Sequence, residues 1–68
     1  MVNTDILAGK WKQAKGEIKK QWGKLTDDDL QVIEGQQDKL VGLVQERYGY
    51  AREKAEQEVD NFLEKYNA

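Results

Sequence analysis

The sequence contains no cysteine, histidine, serine or proline. Without cysteine there are no disulfides or thiolate ligands, and without cysteine and histidine the usual zinc sites are excluded. Nucleophilic triads need serine or cysteine beside a base such as histidine, so that chemistry is excluded as well. We therefore expect a protein that is not an enzyme and that binds no metal or cofactor.

Long apolar runs and phosphate-binding loops are also missing. No stretch approaches the ~20 apolar residues that cross a bilayer, so we expect no membrane-spanning segment. Residues 1–5 include no basic region followed by an apolar run, so we expect no secretory signal. The glycines stand too far apart to form a Walker loop or a dinucleotide-binding turn.

Charge is abundant but unevenly distributed. Of the 68 residues, 38% are hydrophobic and 35% are charged, which places the chain near the border between foldable and disordered sequences. This length predicts one domain over residues 1–68. Residues 1–25 sum to +4 and residues 26–68 to −6, which together give the net charge of −2. Any basic surface must therefore come from the N-terminal part.

Apolar residues recur at helical steps of three and four along the chain. With Asn3 or Thr4 as its cap, a first helix is predicted to run to about Trp22, with Trp11 and Trp22 as core anchors. Further helices are predicted at about residues 27–34, 37–48 and 50–66, with Val32 outside the core. The inward positions are Leu7, Trp11, Ala14, Ile18, Trp22, Leu25, Leu30, Ile33, Leu40, Val41, Val44, Tyr48, Ala51, Ala55, Val59, Phe62, Leu63 and Tyr66. The pattern predicts an all-α fold, a compact bundle of four short helices.

Residues 22–30 end the first helix and begin the second. Gly23 is predicted to be a left-handed helix end, because glycine adopts that conformation without strain. Thr26 and Asp29 have the spacing of a capping box, and Leu25 and Leu30 have that of a hydrophobic staple. The alternative for the run of aspartates that begins at Asp27 is a calcium loop. The sixth and twelfth positions of such a loop need Gly and Glu but hold Val32 and Asp38, so we favour the helix start.

The six glycines fall into two series of period seven, Gly9, Gly16, Gly23 and Gly35, Gly42, Gly49. Gly23, Gly35 and Gly49 are explained as helix ends. Gly9, Gly16 and Gly42 lie opposite the apolar faces, and each costs about 1 kcal/mol relative to alanine. Either the helices are marginal and respond to water activity, or the smooth backbone lets a partner approach.

Lys12, Lys15 and Lys19 form a stripe at helical spacing beside the apolar face of the first helix. They are the candidate contact for a polyanion or a protein partner. The sequence pI of about 5.0 argues against nucleic acid, since nucleic-acid domains usually present a net basic surface. The alternative is that these lysines cover the tryptophans with their stems and face the acidic second half. Binding to a membrane would require the apolar face to leave the core, so we expect none.

Four segments together resemble the CsbD-like family of small bacterial proteins, and in particular its YjbJ-type members. The segments are Trp11-Lys12-Gln13-x-Lys15-Gly16, Trp22-Gly23-Lys24-Leu25-Thr26-Asp27-Asp28-Asp29, Glu34-Gly35-x-x-Asp38-x-Leu40-Val41-Gly42 and Gln45-Glu46-Arg47-Tyr48-Gly49-Tyr50. The resemblance extends from about Trp11 to Val59. It implies a cytoplasmic protein raised in general or osmotic stress, and a fold similar to two crossed helical hairpins of the SAM-domain kind. It implies no catalytic or ligand-binding residues.

Two functional hypotheses follow. The first is a non-enzymatic stress-response protein, expected to be a monomer, that acts by abundance or by weak docking to a protein partner. The second is a regulator that binds nucleic acid or a protein through Lys12, Lys15 and Lys19. A titration with DNA and RNA at two salt concentrations separates them, because a polyanion site weakens steeply as salt rises.

Overall fold

The computed structural model describes Leu7 and residues 9–67, with side chains as far as Lys65. It contains four helices, which are α1 (Trp11–Gln21), α2 (Asp27–Ile33), α3 (Gln37–Tyr48) and α4 (Arg52–Asn67). None of the described residues lies in a strand, and the predicted all-α bundle is confirmed. The radius of gyration is 10.6 Å, close to the ~11 Å expected for a compact chain of this length. The predicted caps Asn3 and Thr4 and the side chain of Tyr66 lie outside the described residues.

The apolar faces of the four helices meet in one core, as the helical spacing predicts. Each of its buried members is at most 5% exposed: Leu7, Ala14, Ile18, Trp22, Leu25, Leu30, Ile33, Leu40, Val41, Val44, Ala55, Val59 and Leu63. Trp11, Tyr48 and Phe62 are only partly buried against it. Val32 is 55% exposed, which confirms its predicted position outside the core. The prediction for Ala51 was wrong, because α4 begins at Arg52, two residues after its predicted start, and Ala51 stays exposed.

The predicted first helix is interrupted at Lys10. Leu7 and Gly9 are helical, but Lys10 is a turn residue with φ −118° and ψ 27°. The Lys10 carbonyl accepts hydrogen bonds from the N–H groups of Gln13 at 3.1 Å and Ala14 at 2.8 Å, and so starts α1. Glycine is a weak helix former, so Gly9 makes this a favourable place for a break.

Gly23 does not adopt the left-handed conformation that the sequence predicted. The chain instead leaves α1 through Trp22, which has φ −125° and ψ 81° and whose carbonyl accepts the N–H of Leu25 at 3.0 Å. The Trp22 indole is 2% exposed, and its ring lies 5.2 Å from that of Phe62 on α4. Burying this indole sets the direction of the turn, so no left-handed residue is needed.

The ends of α2 and α3 do use left-handed residues. Glu34 has φ 45° and Gly35 has φ 82°, so α2 ends one residue before the predicted position. Gly49 has φ 70°, and its N–H bonds to the Gln45 carbonyl at 2.8 Å, which confirms it as the end of α3. Helix α3 packs mainly against α4, its hairpin partner, and also against α2.

Candidate functional site

The three lysines of the predicted stripe are exposed on α1, but they do not act as one unit. Lys19 donates from Nζ to Asp27 Oδ1 at 2.7 Å, which links α1 to the first residue of α2. The hydrogen bond and charge of Lys19 lower the pKa of Asp27, and Lys15 adds a smaller effect in the same direction. Among the described residues, no carboxylate forms an ion pair with Lys12 or Lys15. One lysine of the stripe is therefore neutralised by the acidic half, and two remain available.

An open groove of about 290 Å³ lies between α1 and the start of α2. We call it the α1–α2 groove, and its lining residues are Trp11, Lys15, Gly16, Lys19, Asp27, Leu30 and Gln31. Trp11 and Leu30 supply an apolar floor, while Lys15 and Lys19 stand on one edge. A β-carbon built on Gly16 would meet nothing within 4 Å, so this part of α1 presents bare backbone.

Lys12 belongs to a different surface. With Gly9, Lys10, Trp11 and Gln13 it lines a second, shallower depression of about 540 Å³. The half-buried Trp11 indole stands between the two depressions and borders both. The sequence predicted Trp11 as a core anchor, and the ring does pack against the core but is only partly buried.

The most strongly perturbed titratable group lies elsewhere, at the start of α2. The pKa of Asp29 is lowered to about 2, first by its hydrogen bond from Arg47 and next by that from the Thr26 N–H. Thr26 N–H reaches Asp29 Oδ2 at 3.0 Å, and Asp29 N–H reaches Thr26 Oγ1 at 3.1 Å. This confirms the predicted capping box. Arg47 could not be predicted as a partner of Asp29, because a residue 18 positions away follows no local spacing rule.

Two tyrosines form a second polar and aromatic cluster at the end of α3. Their rings, Tyr48 and Tyr50, lie 5.6 Å apart. Lys24 Nζ lies 5.0 Å from the Tyr48 ring centre, and Lys54 Nζ lies 4.8 Å from that of Tyr50. The Lys24 N–H also donates to Tyr48 Oη at 3.2 Å, so this cluster fastens the α1–α2 turn to α3.

The described part of the chain holds no group of three or more acidic side chains placed to bind a metal ion. Nor does it contain a helix with the length and apolar character needed to cross a bilayer. On the solvent side of α4, Arg52 and Glu56 lie one helical turn apart and form an ion pair, with Arg52 Nε 3.1 Å from Glu56 Oε2. The α1–α2 groove combines apolar, cationic and bare backbone groups from two helices, α1 and α2, whereas the second depression is lined by residues 9–13 alone.

Comparison with known proteins places the sequence motifs in a family. The profile described as CsbD-like matches residues 5–57. The UPF0337 protein YjbJ of Escherichia coli O6:H1 is 54% identical over 66 residues, covering 97% of this chain and 96% of the relative. The YjbJ protein of Salmonella typhimurium is 63% identical over 59 residues, covering 87% of this chain and 84% of the relative.

A more distant organism supplies a similar match. The UPF0337 protein PA4738 of Pseudomonas aeruginosa is 55% identical over 64 residues, covering 94% of this chain and 98% of the relative. The profile spans more than half of the chain, and the relatives are matched over most of their length. The resemblance inferred from the motifs is confirmed, and the chain belongs to the CsbD-like family.

Proposed function

We propose that this protein is a non-enzymatic stress-response protein of the cytoplasm, which acts as a monomer by weak docking to a protein partner. The stress role and the compartment rest on the resemblance to the family. The observation that supports docking is the α1–α2 groove, where an incompletely buried indole meets bare helix backbone beside lysines. Exposed tryptophan edges are frequent anchors of protein–protein contacts.

The proposal that this protein is not an enzyme is supported by the structural role of the Asp29 carboxylate. A general acid or base works best with a pKa near the operating pH. Asp29 instead has a pKa of about 2, and both of its oxygens accept hydrogen bonds from Arg47 or Thr26. It therefore stays ionised at neutral pH and holds two helices together, which is a structural role.

The dependence of protection on copy number tests this function. The native gene is deleted and a second copy is expressed from an inducible promoter. The strain is then shifted to high osmolarity at a series of expression levels. A protein that docks stoichiometrically should protect in proportion to its amount, whereas an enzyme should protect fully at a small fraction of the normal level. Full protection at trace expression, or no growth defect in the deletion strain under osmotic or general stress, would contradict the proposal.

The polyanion alternative is disfavoured by the charges around the groove. Lys19 is paired with Asp27, and Lys12 borders a different depression, so Lys15 is the one lysine of the stripe that is left unpaired in the groove among the described residues, too little positive charge to hold a run of phosphate groups. We therefore expect no saturable binding of single-stranded DNA or RNA even at low salt. Binding that weakens steeply between low and moderate salt would instead support the regulator hypothesis.

A further inference from the structure

We propose that the α1–α2 groove binds an amphipathic helix with an acidic edge, contributed by a partner protein. This inference rests on the proposed docking function and specifies the chemistry of the partner. It depends on three features of the groove: the apolar floor of Trp11 and Leu30, the bare backbone at Gly16, and the charged side chains that line it.

The floor of the groove provides the apolar contact. Leu30 is 5% exposed and fixed in the core, whereas Trp11 is only partly buried and keeps an indole edge toward the groove. A volume of about 290 Å³ lies at the lower limit of small-molecule sites. An open space of that size fits one or two apolar side chains of a docking segment better than it encloses a metabolite.

Gly16 allows a partner helix to approach the backbone of α1 closely. It lies in the middle of α1, is exposed, and has open space where a side chain would begin. Small residues in the middle of a helix let a second helix approach its backbone closely, as in tightly packed helix pairs. Alanine would be a better helix former at this position, so glycine lowers the stability here, and no contact among the described residues requires it.

The charges specify an acidic partner. Lys15 lines the groove, is exposed, and forms no ion pair within the described residues. A carboxylate on the edge of a facing helix would pair with this ammonium group. Lys19 is already paired with Asp27, so the acidic edge of the partner should face Lys15.

A synthetic helical peptide of about 14 residues, ~21 Å long, tests the proposal. Its apolar face carries leucine, and glutamates lie at helical spacing along one edge. A matched peptide has lysine in place of each glutamate. The full chain, labelled with ¹⁵N, is titrated with each peptide. We expect saturable shifts at the Trp11 indole N–H and at the Gly16 and Leu30 amides with the glutamate peptide only.

Two pairs of variants separate binding from folding. Gly16→Gln should keep or raise the thermal midpoint, since its β-carbon enters open space, yet should abolish the shifts by covering the groove. Gly42→Gln, in open space on α3, is its control and should bind like the parent chain. Lys15→Glu should weaken binding about tenfold, whereas Lys39→Glu, an exposed reversal on α3, should leave it unchanged.

Each other outcome overturns the inference. Equal shifts with the lysine peptide, undiminished binding by Gly16→Gln, or shifts that map to α4 would exclude this groove as an acidic-helix site. Tighter binding of a DNA oligonucleotide at the same amides would assign the groove to a polyanion, and self-association of the chain through it would assign it to a second copy. The copy-number experiment is independent of this titration, so the groove can fail while the stress function stands.

Discussion

Arg47 holds Asp29 with two hydrogen bonds, from Nε to Oδ2 at 3.0 Å and from Nη2 to Oδ1 at 2.8 Å. The pair joins the start of α2 to the last turn of α3. Asp29 is 5% exposed, whereas the Arg47 side chain is 38% exposed. The guanidinium fork matches the carboxylate in a bidentate geometry that lysine cannot reproduce. Asp29 therefore completes the capping box of α2 and also anchors α3.

Replacing Asp29 should therefore lower the free energy of unfolding far more than replacing its neighbour Asp28. Asp29→Ala removes the acceptor of the Thr26 N–H, one of the two bonds of the capping box, and leaves Arg47 without this partner, so we expect the free energy of unfolding to fall by about 2–4 kcal/mol. Asp28→Ala, which changes an exposed residue in the same helical turn, should cost less than ~1 kcal/mol. Urea unfolding followed by circular dichroism measures both, and equal losses would contradict the role assigned to the Arg47 pair.

The same carboxylate should make stability depend on pH in the acid range. The pKa of Asp29 in the folded chain is about 2, below its ordinary value of 3.8, so folding favours the ionised form. Its stabilising contribution is complete above the ordinary pKa and is lost as the pH falls from about 4 to about 2. Urea unfolding at pH 5, 3 and 2 should therefore show a shallower loss in Asp29→Asn than in the parent chain. Parallel curves would show that the folded-state pKa is not lowered.

Local devices in this fold could be predicted from the sequence because they depend on short spacings. The capping box from Thr26 to Asp29, the left-handed Gly49 and the buried faces of the helices all follow from rules that span a few residues. The left-handed conformation of Gly23 was predicted by the same kind of rule, and that prediction was wrong. There the burial of Trp22 against another helix decided the backbone path.

Long-range features could not be predicted in this way. The contact of Asp29 with Arg47 joins residues from different helices, and no periodic pattern marks such a partner. The candidate site shows the same limit. The helical spacing of the three lysines was evident in the sequence. Two further facts depend on how α1 and α2 meet: Lys12 borders a different depression from Lys15 and Lys19, and Lys19 forms an ion pair with Asp27.

Alanine at the unexplained glycines should stabilise the chain. Gly16 and Gly42 lie inside helices with open space at the β-carbon position and no left-handed backbone angle. Each change to alanine should add about 1 kcal/mol, which corresponds to roughly 4–8 °C in the thermal midpoint. Gly9→Ala should add less, because the Lys10 turn follows it.

Gly49→Ala is the control for these substitutions. Its β-carbon also enters open space, but its φ of 70° is unfavourable for any residue with a side chain. We expect a loss of about 1 kcal/mol there. A thermal midpoint unmoved by the triple change of Gly9, Gly16 and Gly42 would reject the idea that these helices are kept marginal.

Glu34 is the one described non-glycine residue with a positive φ, 45°, and it should be a place to gain stability. A glutamate in the left-handed region costs about 1 kcal/mol, and asparagine tolerates that region better. The Glu34 N–H already bonds to the Leu30 carbonyl at 3.0 Å, and this bond does not involve the side chain. Glu34→Asn should therefore raise the free energy of unfolding by about 0.5 kcal/mol. Gly35→Ala, at φ 82° in a buried position, should lower it, and urea unfolding of the two variants should move the midpoint in opposite directions.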